Sequence, residues 1–404
     1  LFSAPLAKVK LIRHRVIWSP MPDEPLLTGR VIFQYLYDVG GDIDLDRVPK
    51  FQLTLIERPR QKGDRVLAPK YEEYGMNPLE VQLGAMRIDG HQATIEGRIF
   101  PIGVIGVYIS IDFQKITFDD LIKLVRLNEN TVRVESGEIV FDDIPLDYFR
   151  KLRETISSAI LFPYPSFEQP QIYSLVLITD SEPRLSAEDF RTNYAKQTAG
   201  VLRGELEWRV LNVREIEDAL KLYLSYSTED IVIVDWYAAL ISGAVEYMDD
   251  LVRIIEFALV QLLELKTYDR LLDQQISRAY TTLRQVLKGP GLRWWLTRRQ
   301  YRELSRVLGD LTEFRIDVMD LIEDARNIGK LTGEWYLGKL YRLTSERMRI
   351  SDWLALVNEK LERLQQLYTM VMTRIDVQRS NFLETAMLAL ILAIVVLEII
   401  MVVG

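Results

Sequence analysis

Two carboxylates, Glu384 and Glu398, stand in the most apolar stretch of the chain, 382–403, which reads FLETAMLALILAIVVLEIIMVV. A run of about 20 apolar residues is what a helix needs to cross a hydrocarbon core of about 30 Å. A charge in that setting is costly and usually faces protein or water. The two glutamates are fourteen positions apart, so they share one side of a helix. They are therefore candidate contacts to another membrane helix. The other reading places Glu398, about 24 Å of helix rise beyond Phe382, at the far interface, where it snorkels.

A second group could recognise a partner. Trp294 and Trp295 follow a Gly289-Pro290-Gly291 turn and are flanked by Arg293, Arg298 and Arg299. Trp and Arg suit a protein contact or an anionic lipid headgroup. They could equally plug the end of a helical hairpin. A third group, Asp38, Gly40, Gly41, Asp42, Asp44 and Asp46, suggests a calcium loop, but the bidentate Glu and flanking helices are missing. A turn with solvated acids fits better.

Other chemistry is poorly supplied. The 404 residues contain no cysteine and two histidines, His14 and His91. Disulfides, thiol nucleophiles and Cys-based metal sites are excluded. No Gly-rich phosphate loop, dinucleotide fingerprint, nucleophile elbow or H-E-x-x-H is present. The net charge of -8, with no dominant basic run, speaks against nucleic acid as a partner. No cofactor is expected.

The elements that would position these residues fall into two textures. To about residue 240, strand-like and helix-like runs alternate. The runs 31–37 (VIFQYLY), 51–57 (FQLTLIE), 104–111 (VIGVYISI), 172–178 (IYSLVLI) and 231–236 (IVIVDW) read as strands. Residues 58–78 read as a loop. Thr117 is placed to cap a helix, and Ser186 with Asp189 forms a capping box opening a helix over 186–202. Asp235-Trp236-Tyr237 reads as core packing.

From Gly243 a helical period takes over. Helices are expected over 245–287, 297–328 and from Leu340 onward. In the last, Ile350, Leu354, Val357, Leu361, Leu364, Tyr368, Val371 and Ile375 keep a seam of alternate four and three spacing. Thr385, Leu392 and Ile399 stay in seven-residue phase with Ile350, and Phe382, Ala389 and Val396 with Leu354. The seam predicts an antiparallel partner within the chain, self-association, or both. One unbroken helix is expected from Leu340 through the membrane. Arg374 and Arg379 before the apolar run place the bulk of the chain on the cytoplasmic or matrix-equivalent side.

Glu334-Trp335-Tyr336, Leu340-Tyr341, 356–361 (LVNEKL), Leu383-Glu384 and Leu397-Glu398 together resemble the "required for meiotic nuclear division" family and its bacterial relatives. The resemblance implies a membrane-anchored, non-enzymatic protein that ends in paired helices and a membrane helix.

The expected architecture is an α+β or α/β N-terminal region, a long antiparallel helical stalk and one C-terminal transmembrane helix. The expected divisions are 1–98, 99–242, 243–381 and 382–403. The expected function is a tail-anchored scaffold or interaction module, self-associating through stalk and membrane helix. Its partners would be the lipid bilayer and a further copy or another protein. The alternatives are a subunit of an oligomeric ion channel, similar in outline to CorA-type magnesium channels, or an enzyme in the α/β region.

Overall fold

In the computed structural model, residues 24–56, 78–164, 169–243, 245–288, 316, 319 and 335–403 are described. The chain opens with β1 (Leu26–Asp38), β2 (Gly40–Ile43), β3 (Thr54–Leu55), β4 (Leu79–Ile88), β5 (His91–Phe100) and β6 (Val104–Ile116). There follow α1 (Phe118–Val125), the hairpin β7 (Thr131–Val134) and β8 (Gly137–Val140), then α2 (Asp143–Thr155), β9 (Ile160–Pro163) and β10 (Gln171–Glu182). Next come α3 (Ala187–Arg191), α4 (Ala195–Arg203), α5 (Val213–Ala219), β11 (Tyr223–Leu224), β12 (Ile231–Val234) and β13 (Ala238–Ser242). Three further helices are α6 (Val245–Lys288), α7 (Trp335–Arg347) and α8 (Ile350–Val403).

Nine strands form one mixed sheet in the order β11-β12-β13-β10-β1-β6-β5-β4-β3. Every neighbouring pair is antiparallel except β10 and β13. That parallel pair needs a crossover, and the segment from α3 to β12 supplies it. Asp89-Gly90 closes the β4–β5 hairpin with positive φ at both residues, 46° and 86°, as a tight two-residue turn requires.

Side-chain alternation divides the sheet into two buried faces. Leu27, Val31, Phe33, Tyr35 and Tyr37 of β1, with Val176 and Ile178 of β10 and Ile231 and Ile233 of β12, pack under α1, α2, α4 and α5. Leu36, Tyr173, Leu175, Val232 and Val234 point to the other face, under α6, α7 and α8. Strands buried on both faces read as continuous apolar runs. This is why 31–37, 104–111, 172–178 and 231–234 are legible as strands. Thr117 accepts from the Asp120 N–H, and Ser186 and Asp189 form the capping box.

Several expectations need correction. Lys50–Gln52 forms a short 3-10 turn and only Thr54–Leu55 is strand, so 51–57 is not a half-buried strand; Phe51 is exposed. The expected helix over 186–202 is two helices, broken between Arg191 and Ala195. The chain from Leu340 onward is not one helix either. Arg349, at φ 53°, separates α7 from α8. The second expected helix, 297–328, lies outside the described residues apart from 316 and 319.

The architecture also differs from a long antiparallel stalk carrying a transmembrane helix. The helices lie as a layer on a large mixed sheet. Moreover, α6 and α8 run parallel. Lys266 lies against Trp353, and Asp269 and Asp273 further along α6 meet Lys360 further along α8. Among the described residues, no helix is long and apolar enough to cross a membrane. The part of the apolar run whose side chains are described, 383–397, falls short of the about 20 residues that a crossing takes. A single-pass C-terminal anchor is therefore not supported, nor is the orientation that rested on it.

Candidate interaction surface

The long helices are positioned on the sheet by a buried polar seam. Glu256 of α6 accepts from Arg98 Nη1 of β5 at 2.8 and 2.7 Å, and from the Tyr108 hydroxyl of β6. The Arg98 guanidinium also lies 4.5 Å from the Tyr108 ring centroid. Glu80 of β4 stands 3.9 Å from Arg98 and 3.3 Å from Arg253. Two cations and two carboxylates thus balance within a core where an unpaired charge would be expensive. Burial pushes the Tyr108 hydroxyl well above its ordinary pKa. Asp38, at the end of β1, completes the seam beside Thr267 and Arg270 of α6, and burial raises its carboxyl to about 7.

A second charged cluster ties both layers to the sheet at the β12–β13 turn. Asp235 is fully buried there. Arg203 of α4 reaches it at 2.7 Å from one side, and Arg347 of α7 at 3.3 Å from the other. Arg203 also binds Glu215 and Asp218 of α5, each at 2.7 Å. Burial pushes the Asp235 carboxyl up, against the pull of the two arginines. The core reading of this turn holds for Asp235 alone, because Trp236 is 40% and Tyr237 70% exposed. Replacing Arg203 with methionine leaves Arg347 on Asp235. It is expected to lower stability by about 1–2 kcal/mol, measured as a shift in urea midpoint.

Beyond the sheet, α8 continues as an arm. Val357, Leu361, Leu364 and Tyr368 are buried on the seam facing α6. Along 383–397 the same helix is exposed, with Leu388 at 65% and Leu392 at 69%. A helix that is apolar all round needs a partner. Glu384 sits on this exposed section. Glu398 belongs to α8, but its side chain is not among those described. Arg293, Trp294, Trp295, Arg298 and Arg299 lie outside the described residues. The acidic loop is scattered: Asp38 is buried, Asp44 pairs with Arg47 at 3.0 Å and Asp46 with Lys50 at 4.0 Å.

The comparisons bear on the sheet. Residues 28–248 match the model of the family described as uncharacterized protein MJ0711, N-terminal domain. The chain belongs to the MJ0711 N-terminal domain family. The match runs from β1 to the first turn of α6, so it takes in both charged clusters' sheet residues. The chain is similar to the uncharacterized protein MJ0711 of Methanocaldococcus jannaschii, 28% identical over 207 residues. Those residues are 51% of this chain and 61% of that protein, so the chain spans less than two thirds of that relative's length. No solved structure matches.

Membership of the MJ0711 family replaces the expected kinship with the "required for meiotic nuclear division" family, to which nothing links the chain. Of the residues that carried the resemblance, some pack between helices, while Trp335, Leu356, Leu383 and Leu397 are exposed. Leu340 is buried, Tyr341 donates to Gln261 at 2.6 Å, Val357 and Leu361 line the α6 contact, and Lys360 binds Asp269 and Asp273. Any helix pair on an apolar bed selects such residues, so short matches of this kind are weak signs of descent.

Proposed function

We propose that the chain is a non-enzymatic interaction module in which a rigid sheet domain carries a helical arm, and that the arm joins two copies of the chain. The observation that supports this reading most is the exposed apolar section of α8 at 383–397, in seven-residue phase with the buried seam upstream. The upstream seam packs against α6 within the chain. The section beyond it has the same phase without a described partner, and Thr385, Ala389, Leu392 and Val396 share one side. The matching section of a second copy offers the same stripe, as an isologous contact requires. The polar seam and the Asp235 cluster fix the base of the arm, so its direction is set by the sheet.

The test is the mass of the purified chain in mild detergent by light scattering. The wild type is expected at twice the chain mass. Ala389→Lys with Leu392→Lys is expected to give single chains, with sheet content unchanged by circular dichroism. A wild type of single-chain mass overturns the reading.

A further inference from the structure

Among the described residues, one half-buried cation at the base of the arm has no carboxylate. Lys266 of α6 donates to Gln171 Oε1 at the start of β10, at 2.7 Å, and its ammonium lies 5.9 Å from the Trp353 ring centroid on α8. Among the described residues no acid lies within ion-pair distance of it. Its neighbour one helical turn on is a second cation, Arg270. Burial, and then Arg270, depress the Lys266 pKa. The contrast with other cations around the arm is direct. Lys360 is held between Asp269 and Asp273, Arg98 by Glu256, and Arg203 and Arg347 by Asp235. In a chain of net charge -8, a lysine without an acid in reach among the described residues is not explained by a shortage of acids.

The chemistry of the surroundings identifies what would match it. An ammonium has three donors, and Gln171 takes one. Two remain, while Arg270 one turn on is held by the Lys266 carbonyl and the Thr267 hydroxyl and faces Asp38. Phosphate and carboxylate oxygens are the partners for which such charge-assisted donors are strongest. The Trp353 ring offers an apolar wall next to them, as in contact sites where a charged group is seated against an aromatic side chain.

We propose that Lys266, Gln171 and Trp353 form an oxyanion subsite between the start of β10, α6 and α8, which takes a phosphate group or a partner's acidic side chain. The site lies where the sheet ends and the arm begins, so an anion there would bridge β10 to both long helices and stiffen the arm's base.

The experiment is thermal unfolding of the full chain at pH 7 with inorganic phosphate, with an acetylated tri-glutamate peptide, and with sodium chloride at matched ionic strength. At about ten times the dissociation constant, the anion is expected to raise the midpoint by roughly 2 °C over the chloride control. A rise with phosphate alone assigns a phosphate source, and a rise with the peptide alone assigns an acidic protein segment. Lys266→Met keeps the apolar stem and is expected to lose the rise, while Lys266→Arg keeps it. No rise over chloride with either probe, or an equal rise in Lys266→Met, overturns the proposal.

Discussion

Replacing Arg98 with leucine is expected to cost about 3–5 kcal/mol of folding stability. The reason is what the substitution leaves behind. Glu256 is 3% exposed, and both its oxygens are taken by Arg98 and Tyr108. Without the guanidinium, its carboxylate must stay charged in a dry site or take up a proton. Glu80 loses one of its two cations at the same time. The double variant Arg98→Leu with Glu256→Leu removes both charges and is expected to recover most of the loss. A buried ion pair is often no better than apolar residues that fill the same space. The measurement is urea denaturation of the four members of the cycle. A cost under about 1 kcal/mol for Arg98→Leu would mean that the pair is not isolated from solvent. The seam's role is then one of specification. It holds α6 in a single register on β4, β5 and β6, which apolar contact alone fixes less sharply.

Asp38 is expected to make stability fall as pH rises from about 4 to about 7. Its carboxyl is raised from 3.8 to about 7, first by burial, against hydrogen bonds from Thr267 and Gly40 and the charge of Arg270. Across that window the folded chain keeps the proton and the unfolded chain does not. The folded state therefore binds more protons, and stability declines with pH by linkage. Below the unfolded value and above about 7 the effect is flat. A rise from 3.8 to about 7 corresponds to roughly 4 kcal/mol over the window. Lowered carboxylates such as Asp119, Asp120 and Asp189 act in the opposite sense nearer pH 4, so the clean quantity is a difference. Stability of the wild type minus that of Asp38→Asn should fall between pH 5 and 7 and level off above. A difference that does not vary with pH would show that Asp38 titrates like a solvated acid.

The strands buried on both faces were legible because burial on both sides writes an unbroken apolar run, as in 172–178 and 231–234. The helix starts at Thr117 and Ser186 were legible because a cap is a local arrangement of three or four residues. The β4–β5 hairpin was not legible. On the helical-layer side its strands carry Glu80 and Arg98, whose burial depends on Glu256, more than 150 residues away in sequence. The parallel course of α6 and α8 was equally hidden, since a seven-residue phase says that a helix needs a partner but not which direction the partner runs. The signal for the seam was present in α6 itself. Glu256, Gln261 and Glu264 interrupt an otherwise apolar stretch, and all three are buried. Polar residues inside such a stretch call for named partners, but no motif marks them. The apolarity of the C-terminal run does not distinguish a bilayer from a protein partner.

What meets 383–397 decides whether two copies of the chain pair through the arm. The chain has no cysteine, so single cysteines can be introduced one at a time along this section and oxidised in the purified full chain. The expected result is covalent dimer that peaks at Thr385, Ala389, Leu392 and Val396, the stripe in phase with the buried seam, and drops at the positions between. No covalent dimer at any position, or equal yields at all of them, would contradict pairing of two copies through the arm.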